Sequence, residues 1–159
     1  EVIDVRWSRP ILEETRRALV TRLGLDEQKV ARLIETLNDR FLGAEVLEFE
    51  HLIGQVDLPD PDDRHVFAAA VVGECDLLIT ANLRDFPSSD EDLAVVSPDD
   101  ALVLMVELFR GDLAAVVQQI LGRLGRPSMS VGEYLDRLSK RAPRGAAALR
   151  TALVRAEES

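Results

Sequence analysis

Cysteine is nearly absent from this chain of 159 residues: Cys75 stands alone. An internal disulfide is therefore excluded, and so is a cysteine-based zinc cluster. Aromatic residues are scarce at 4%, with Trp7 and Tyr134 each the sole example of its type. No apolar run reaches the ~18 residues that a membrane-spanning helix needs. No glycine-rich phosphate loop is present, which argues against a nucleotide cofactor. No signal peptide opens the chain, and this favours a reducing, cytoplasmic setting. The first residue is Glu1 and not Met, as expected of a fragment or a processed product.

What is abundant is negative charge. There are 29 Asp and Glu against 19 Lys and Arg, a net −10. With 47% apolar residues this is a globular composition, not a disordered one. The acids are not spread evenly. Residues 45–63 hold seven of them and residues 85–100 six more, and neither stretch has a Lys or Arg. Residues 123–155 reverse the pattern, with eight basic residues against two acids. Solvated loops and helix faces account for many such charges. The sharper reading is an acidic centre that calls for a cation, followed by a basic tail able to touch a polyanion. The net charge disfavours nonspecific nucleic-acid binding and suits a basic protein partner.

Local signals predict alternating helices and strands. Ser8 and Pro10 open a helix carrying Ile11, Leu12, Thr15, Leu19 and Leu23, and Gly24 stops it. Asp26 caps a second helix with Val30, Leu33, Ile34, Leu37 and Phe41 on one face. Ala44–Leu47 is a strand candidate, and residues 57–63 form a polar, proline-broken loop. A small-residue helix follows over about 63–72, where Ala68, Ala69 and Ala70 permit close packing. Residues 77–79 and 93–96 read as buried strands of a parallel sheet. Ser97 opens the next helix with an acid three residues on. From about residue 112 the pattern is helical only, with helices expected over 112–124, from Ser130, and over 145–156. The expected division is an α/β domain over 1–110 and a helical extension over 111–159. The spaced leucines of the extension favour packing on the core or on a partner.

Two clusters can carry chemistry. Asp60, Asp62 and Asp63 lie within four residues, directly before the small-residue helix. Helix capping explains one or two of them. Three mutually repelling acids call for a cation or for solvent. The second cluster, Thr80, Asn82 and Asp85, follows a strand at its carboxyl end, where α/β sheets bind ligands. Oxygen donors of this kind suit Mg²⁺ or Mn²⁺ and not zinc. Two such ions can activate water and stabilise the leaving oxygen of a phosphodiester. Glu14 borders the apolar face of the first helix, whereas Glu13 points further out. His65 reads as a helix-terminal packing or hydrogen-bonding residue, His51 as a surface residue, and Cys75 as a small hydrophobe. Trp7 and Phe86 read as core or site-wall residues.

Three segments together resemble the PIN domain family, and in particular its VapC-type toxin ribonucleases. They are Trp7-Ser8 with Ile11-Leu12-Glu13-Glu14, Asp60-Pro61-Asp62-Asp63-Arg64-His65 running into Ala68-Ala69-Ala70, and Leu78-Ile79-Thr80-Ala81-Asn82-Leu83-Arg84-Asp85-Phe86. The likeness spans about residues 5–105. It implies a three-layer α/β/α sandwich with a parallel sheet, and the tail is similar to the C-terminal helical extension of one subgroup. It further implies metal-dependent endoribonuclease activity on RNA and neutralisation by a cognate antitoxin. By the resemblance, Asp63, Glu14 and Asp85 are metal ligands and catalytic acids. Asn82 is a further ligand at a position where many members carry Asp, and Thr80 lies beside the metal with Asp60 and Asp62 in support. The family opens with a strand ending in an Asp-Thr-Asn type motif, which has no counterpart here. That strand is then expected from another chain, from a cleaved peptide or through self-association. The alternatives are a catalytically impaired PIN-like binding protein, and a PIN-type nuclease acting on DNA or structured RNA in processing.

Overall fold

Helix start and stop signals shape most of the secondary structure. The computed structural model describes residues 3–86, 92–109, 113–123 and 129–157. Helix α1 (Arg9–Thr21) begins one residue before Pro10, whose fixed φ suits a first turn. Ser8 occupies the cap position, but its side chain makes no cap bond. It is fully buried, and its hydroxyl has no partner among the described residues. Helix α2 (Glu27–Arg40) is capped as expected, with the Asp26 carboxylate accepting the Lys29 N–H at 3.0 Å. A short helix, α3 (Glu50–Ile53), precedes the proline-broken loop. That loop is not wholly irregular: Pro61–Asp63 forms one 3₁₀ turn that leads into α4 (Arg64–Val72).

Two strands follow, β1 (Leu77–Ile79) and β2 (Ala94–Val96), paired in a two-stranded sheet. The Ala94 N–H bonds Asp76 O and the Thr80 N–H bonds Val96 O, each at 3.0 Å. Partners advance together along both strands, so the pair is parallel. The expected burial of β1 is not met. Leu77 is 39% exposed and Ile79 46%. Among the described residues β1 has a single partner strand, and its outer positions lack the covering that an apolar run suggests. The Ala44–Leu47 strand is likewise reduced to one parallel bridge, Glu45 with Trp7. Four helices follow among the described residues: α5 (Pro98–Leu108), α6 (Leu113–Arg123), α7 (Val131–Ser139) and α8 (Pro143–Glu157). The last starts at Pro143, two residues before the expected Gly145, because proline is favoured in a first turn. Leu124 and Asp112, the expected ends of α6, lie outside the described residues.

Contacts divide the chain into two compact units. One comprises the chain up to Leu78 with Asn82–Val95, the other Ile79–Ala81 with Val96 onward. In the first, Val46, Phe49, Ala68 and Ala69 form the core, flanked by Leu52, Ile53, Val56 and Val72. The alanines let α4 come close. At its end, a Cβ on Gly73 would lie 2.9 Å from Val46 Cγ2, so only glycine fits there. Trp7 is half-buried, set edge-on to Phe41 at 5.8 Å, and donates its indole N–H to Asn38. Phe86 is buried.

The second unit packs Val106, Val117, Leu135 and Leu149 together. Burying each such side chain stabilises by about 1.5–3 kcal/mol. Helix α5 packs on α8, with the later helices, whereas the sequence pattern grouped it with the residues before 110. The approach is tight, since a Cβ on Gly145 would lie 2.6 Å from Leu102 Cδ2. The spaced leucines of the tail therefore do meet apolar neighbours: Leu113, Leu121, Leu138 and Leu153 all border this cluster.

Candidate functional site

The loop before α4 is shaped by its own first acid. Asp60 accepts the Asp62 N–H on its carboxylate at 2.9 Å, and its carbonyl accepts the Asp63 N–H at 3.2 Å. Aspartate caps turns in this way because its short side chain reaches the backbone two residues on. The turn leaves Asp62 exposed and sets a half-buried Asp63 at the mouth of α4. Asp85 closes a second 3₁₀ turn, Leu83–Asp85. Carboxylate oxygens from Asp60, Asp63 and Asp85 all lie within 4.8 Å of one another. Between two of them sits Asn82, whose amide N–H₂ donates to Asp63 Oδ2 at 3.4 Å and to Asp85 Oδ2.

This gathering has an electrostatic consequence. The Asp63 carboxyl is pushed above its ordinary range, first by burial, then by Asp60, Asp85 and Glu14; His65 opposes the shift. Acids facing acids disfavour full ionisation unless a cation relieves them. Three carboxylates converging at this distance, with a neutral amide beside them, fit a hard divalent ion.

Glu14 reaches the same neighbourhood from α1. Its Oε1 accepts a hydrogen bond from His65 Nε2 at 3.2 Å. The His65 side chain is 15% exposed, and its Nδ1 is buried without a partner among the described residues, where Glu14 anchors the ring. Glu14 itself stays exposed. Glu13, one residue earlier, turns to Arg16, whose guanidinium holds the Glu13 carboxyl below its usual range.

Of the residues singled out by sequence, the structure gathers Asp60, Asp63, Asp85 and Asn82, with Glu14 linked to them through His65. Asp62 contributes a backbone N–H and not its carboxylate. Thr80 is half-buried directly after β1, falls in the second unit, and donates its N–H to Val96. His65 was not among the expected site residues, because its partner lies 51 residues away. The adjacent Arg64 Nε is also buried without a partner among the described residues. His51 is exposed and donates Nδ1–H to Glu48 O. Cys75 is half-buried, and burial pushes its thiol up. No described helix is long and apolar enough to cross a membrane.

Comparison with known proteins adds a second line of information. A family model described as PIN domain matches residues 1–84, and one described as VapC50 C-terminal domain matches residues 98–151. The Mycobacterium tuberculosis protein named "Putative ribonuclease VapC50" is 31% identical over 91 residues, covering 55% of this chain and 54% of that protein. The chain thus spans about half the length of the curated relative it matches. No solved structure matches.

Proposed function

The chain belongs to the PIN domain family, and on that premise we propose that it is a metal-dependent endoribonuclease, the toxin of a toxin–antitoxin pair, hydrolysing RNA phosphodiester bonds. The observation that carries this reading is the convergence of Asp60, Asp63 and Asp85 within 4.8 Å. Asp63 and Asp85 would hold Mg²⁺ or Mn²⁺, with Glu14 and Asn82 completing the set and Asp60 in support. When bound, such an ion neutralises phosphate charge and lowers the pKa of water.

The chain's own groups do the rest. Asn82 ties Asp63 to Asp85 through its amide nitrogen and fixes their spacing. His65 holds one oxygen of Glu14 and would leave the other free for the ion. The acidic face attracts the basic segment of an antitoxin, and the expected setting is the cytoplasm.

The test is cleavage of an end-labelled RNA pool in Mn²⁺ or Mg²⁺. Cutting is expected to vanish with EDTA and to fall at least ~100-fold in Asp63→Ala. Undiminished cutting by that variant would refute the assignment. A second reading has its own observation. Asn82 is neutral where many family members carry Asp, and it presents N–H groups to both carboxylates. That arrangement suits a PIN-like protein that binds a partner without cutting. A wild-type chain that binds Mn²⁺ but leaves RNA and DNA intact would favour it, while cutting of DNA or structured RNA alone would indicate a processing nuclease.

A further inference from the structure

One face of α1 carries Arg17, with Arg22 at its cap, and neither guanidinium forms a short ion pair with a described residue; Glu13, four residues before Arg17, acts on it only at longer range. Glu14, Thr15, Arg17, Ala18, Thr21 and Arg22 line a surface trough of about 500 Å³. Positions 14, 17, 18, 21 and 22 recur at three- and four-residue steps, so they share one side of the helix.

The opposite side is different. There Arg16 is committed to Glu13, at 2.7 Å, and to Glu27. The cavity on that side, about 540 Å³, sets Arg9 and Arg16 against Glu13 and Glu45. In the first trough, the guanidinium groups of Arg17 and Arg22 hold no hydrogen bond or ion pair with any described residue. Thr21 turns its hydroxyl inward to Arg17 O. Arg17 and Arg22 are therefore the trough's cationic groups, with Glu14 its acidic one.

Glu14 joins this trough to the acidic cluster, since it lines the one and bonds His65 beside the other. Arg17 and Arg22 lie three and eight residues beyond Glu14, roughly 4.5 and 12 Å along the axis. An acidic end with a cationic body suits a polyanion presenting one phosphate to the carboxylates. Its neighbouring phosphates then rest on guanidinium groups, whose planar fork matches phosphate oxygens. An acidic peptide gains nothing at the carboxylate end, and a basic peptide is repelled along the body.

We propose that this trough is the track for the substrate strand, in which Arg17 and Arg22 hold backbone phosphates of single-stranded RNA next to the bond presented at Asp63, Asp85 and Glu14. The proposal rests on the nuclease reading, and its test reads binding and not cutting.

A short fluorescein-labelled single-stranded RNA is titrated with the full chain in Ca²⁺ buffer over a salt series, followed by anisotropy. The Arg17→Ala/Arg22→Ala double variant is expected to bind about tenfold more weakly. Its log–log salt slope is expected to flatten by about 1.4, the value for two single-strand phosphate contacts. Arg16→Ala, on the paired face, serves as the control and is expected to keep the wild-type slope. Circular dichroism checks that the double variant folds; both arginines are exposed, so no packing is lost. Wild-type binding with an unchanged slope in the double variant would overturn the track and leave the nuclease reading standing. Failure of the wild-type chain both to bind and to cut RNA would overturn the two together. Loss of binding to a polyglutamate probe, with RNA binding unchanged, would assign the trough to an acidic peptide and also overturn the proposal.

Discussion

Acidic residues do opposite work in the helices after β2 and around Asp63. In the helices after β2 they meet donors. Asp99 accepts the N–H groups of Arg144 at 3.2 Å and Gly145 at 2.7 Å, which are free donors of the first turn of α8. Asp100 takes the Arg144 guanidinium and the Ser97 hydroxyl. Glu133 closes a reciprocal capping box with Ser130. Around Asp63 the acids meet one another instead. The shifts follow: bonds from Ser130 hold the Glu133 carboxyl below its usual range, while burial and neighbouring acids push Asp63 above it. An acid whose oxygens meet backbone N–H groups or a cation is holding the fold. An acid facing other acids is held by the fold, and its charge remains available for a ligand.

This contrast can be broken at either end. The largest effect on stability is expected from Asp99→Ala, which strips two donors at the start of α8 of their acceptor. It should cost about 1–2 kcal/mol, lowering Tm by several degrees in a thermal melt. Mn²⁺ affinity should not change. A loss of Mn²⁺ affinity in that variant would erase the distinction between the two sets of acids.

Much of this arrangement was readable from sequence where the signals are local. Asp26 before Lys29, Ser97 before Asp100 and Ser130 before Glu133 all announce caps that the structure forms. Contacts made across long separations were not readable. Asp99 reaches α8 across 45 residues and His65 reaches Glu14 across 51, and no spacing rule encodes either. Burial of β1 was overestimated because a short apolar run does not say whether its faces are covered. The meeting of Asp60 and Asp63 with Asp85 was expected from family likeness more than from pattern, since two separate turns must bring the residues together.

A smaller effect is expected at His65. His65→Leu removes the hydrogen bond that anchors Glu14 from α4, and Mn²⁺ affinity should fall about tenfold, as for other groups that orient a ligand. His65→Gln can still donate near the Nε2 position and should recover much of the loss. Equal Mn²⁺ affinity in wild type and His65→Leu would mean that the bond does not position Glu14.

The smallest effect concerns Asp63 without metal. Its carboxyl titrates above the ordinary 3.8 in the folded chain, so ionisation disfavours the fold. The cost is absent below that pH, where both states are protonated. It grows as pH rises through the raised value and then levels off. Asp63→Asn should therefore raise Tm at neutral pH, by no more than roughly 2 °C given its exposure to solvent, and the gain should disappear in acid. Equal melts of the two proteins from acid to neutral pH would contradict the repulsion.

The most direct measurement is a calorimetric titration of Mn²⁺ into the wild-type chain, Asp63→Ala and Asp99→Ala, each checked for folding. The account predicts saturable binding that is lost in Asp63→Ala and retained in Asp99→Ala. Equal binding by wild type and Asp63→Ala would contradict it, because the converging carboxylates would then not be where the cation is held.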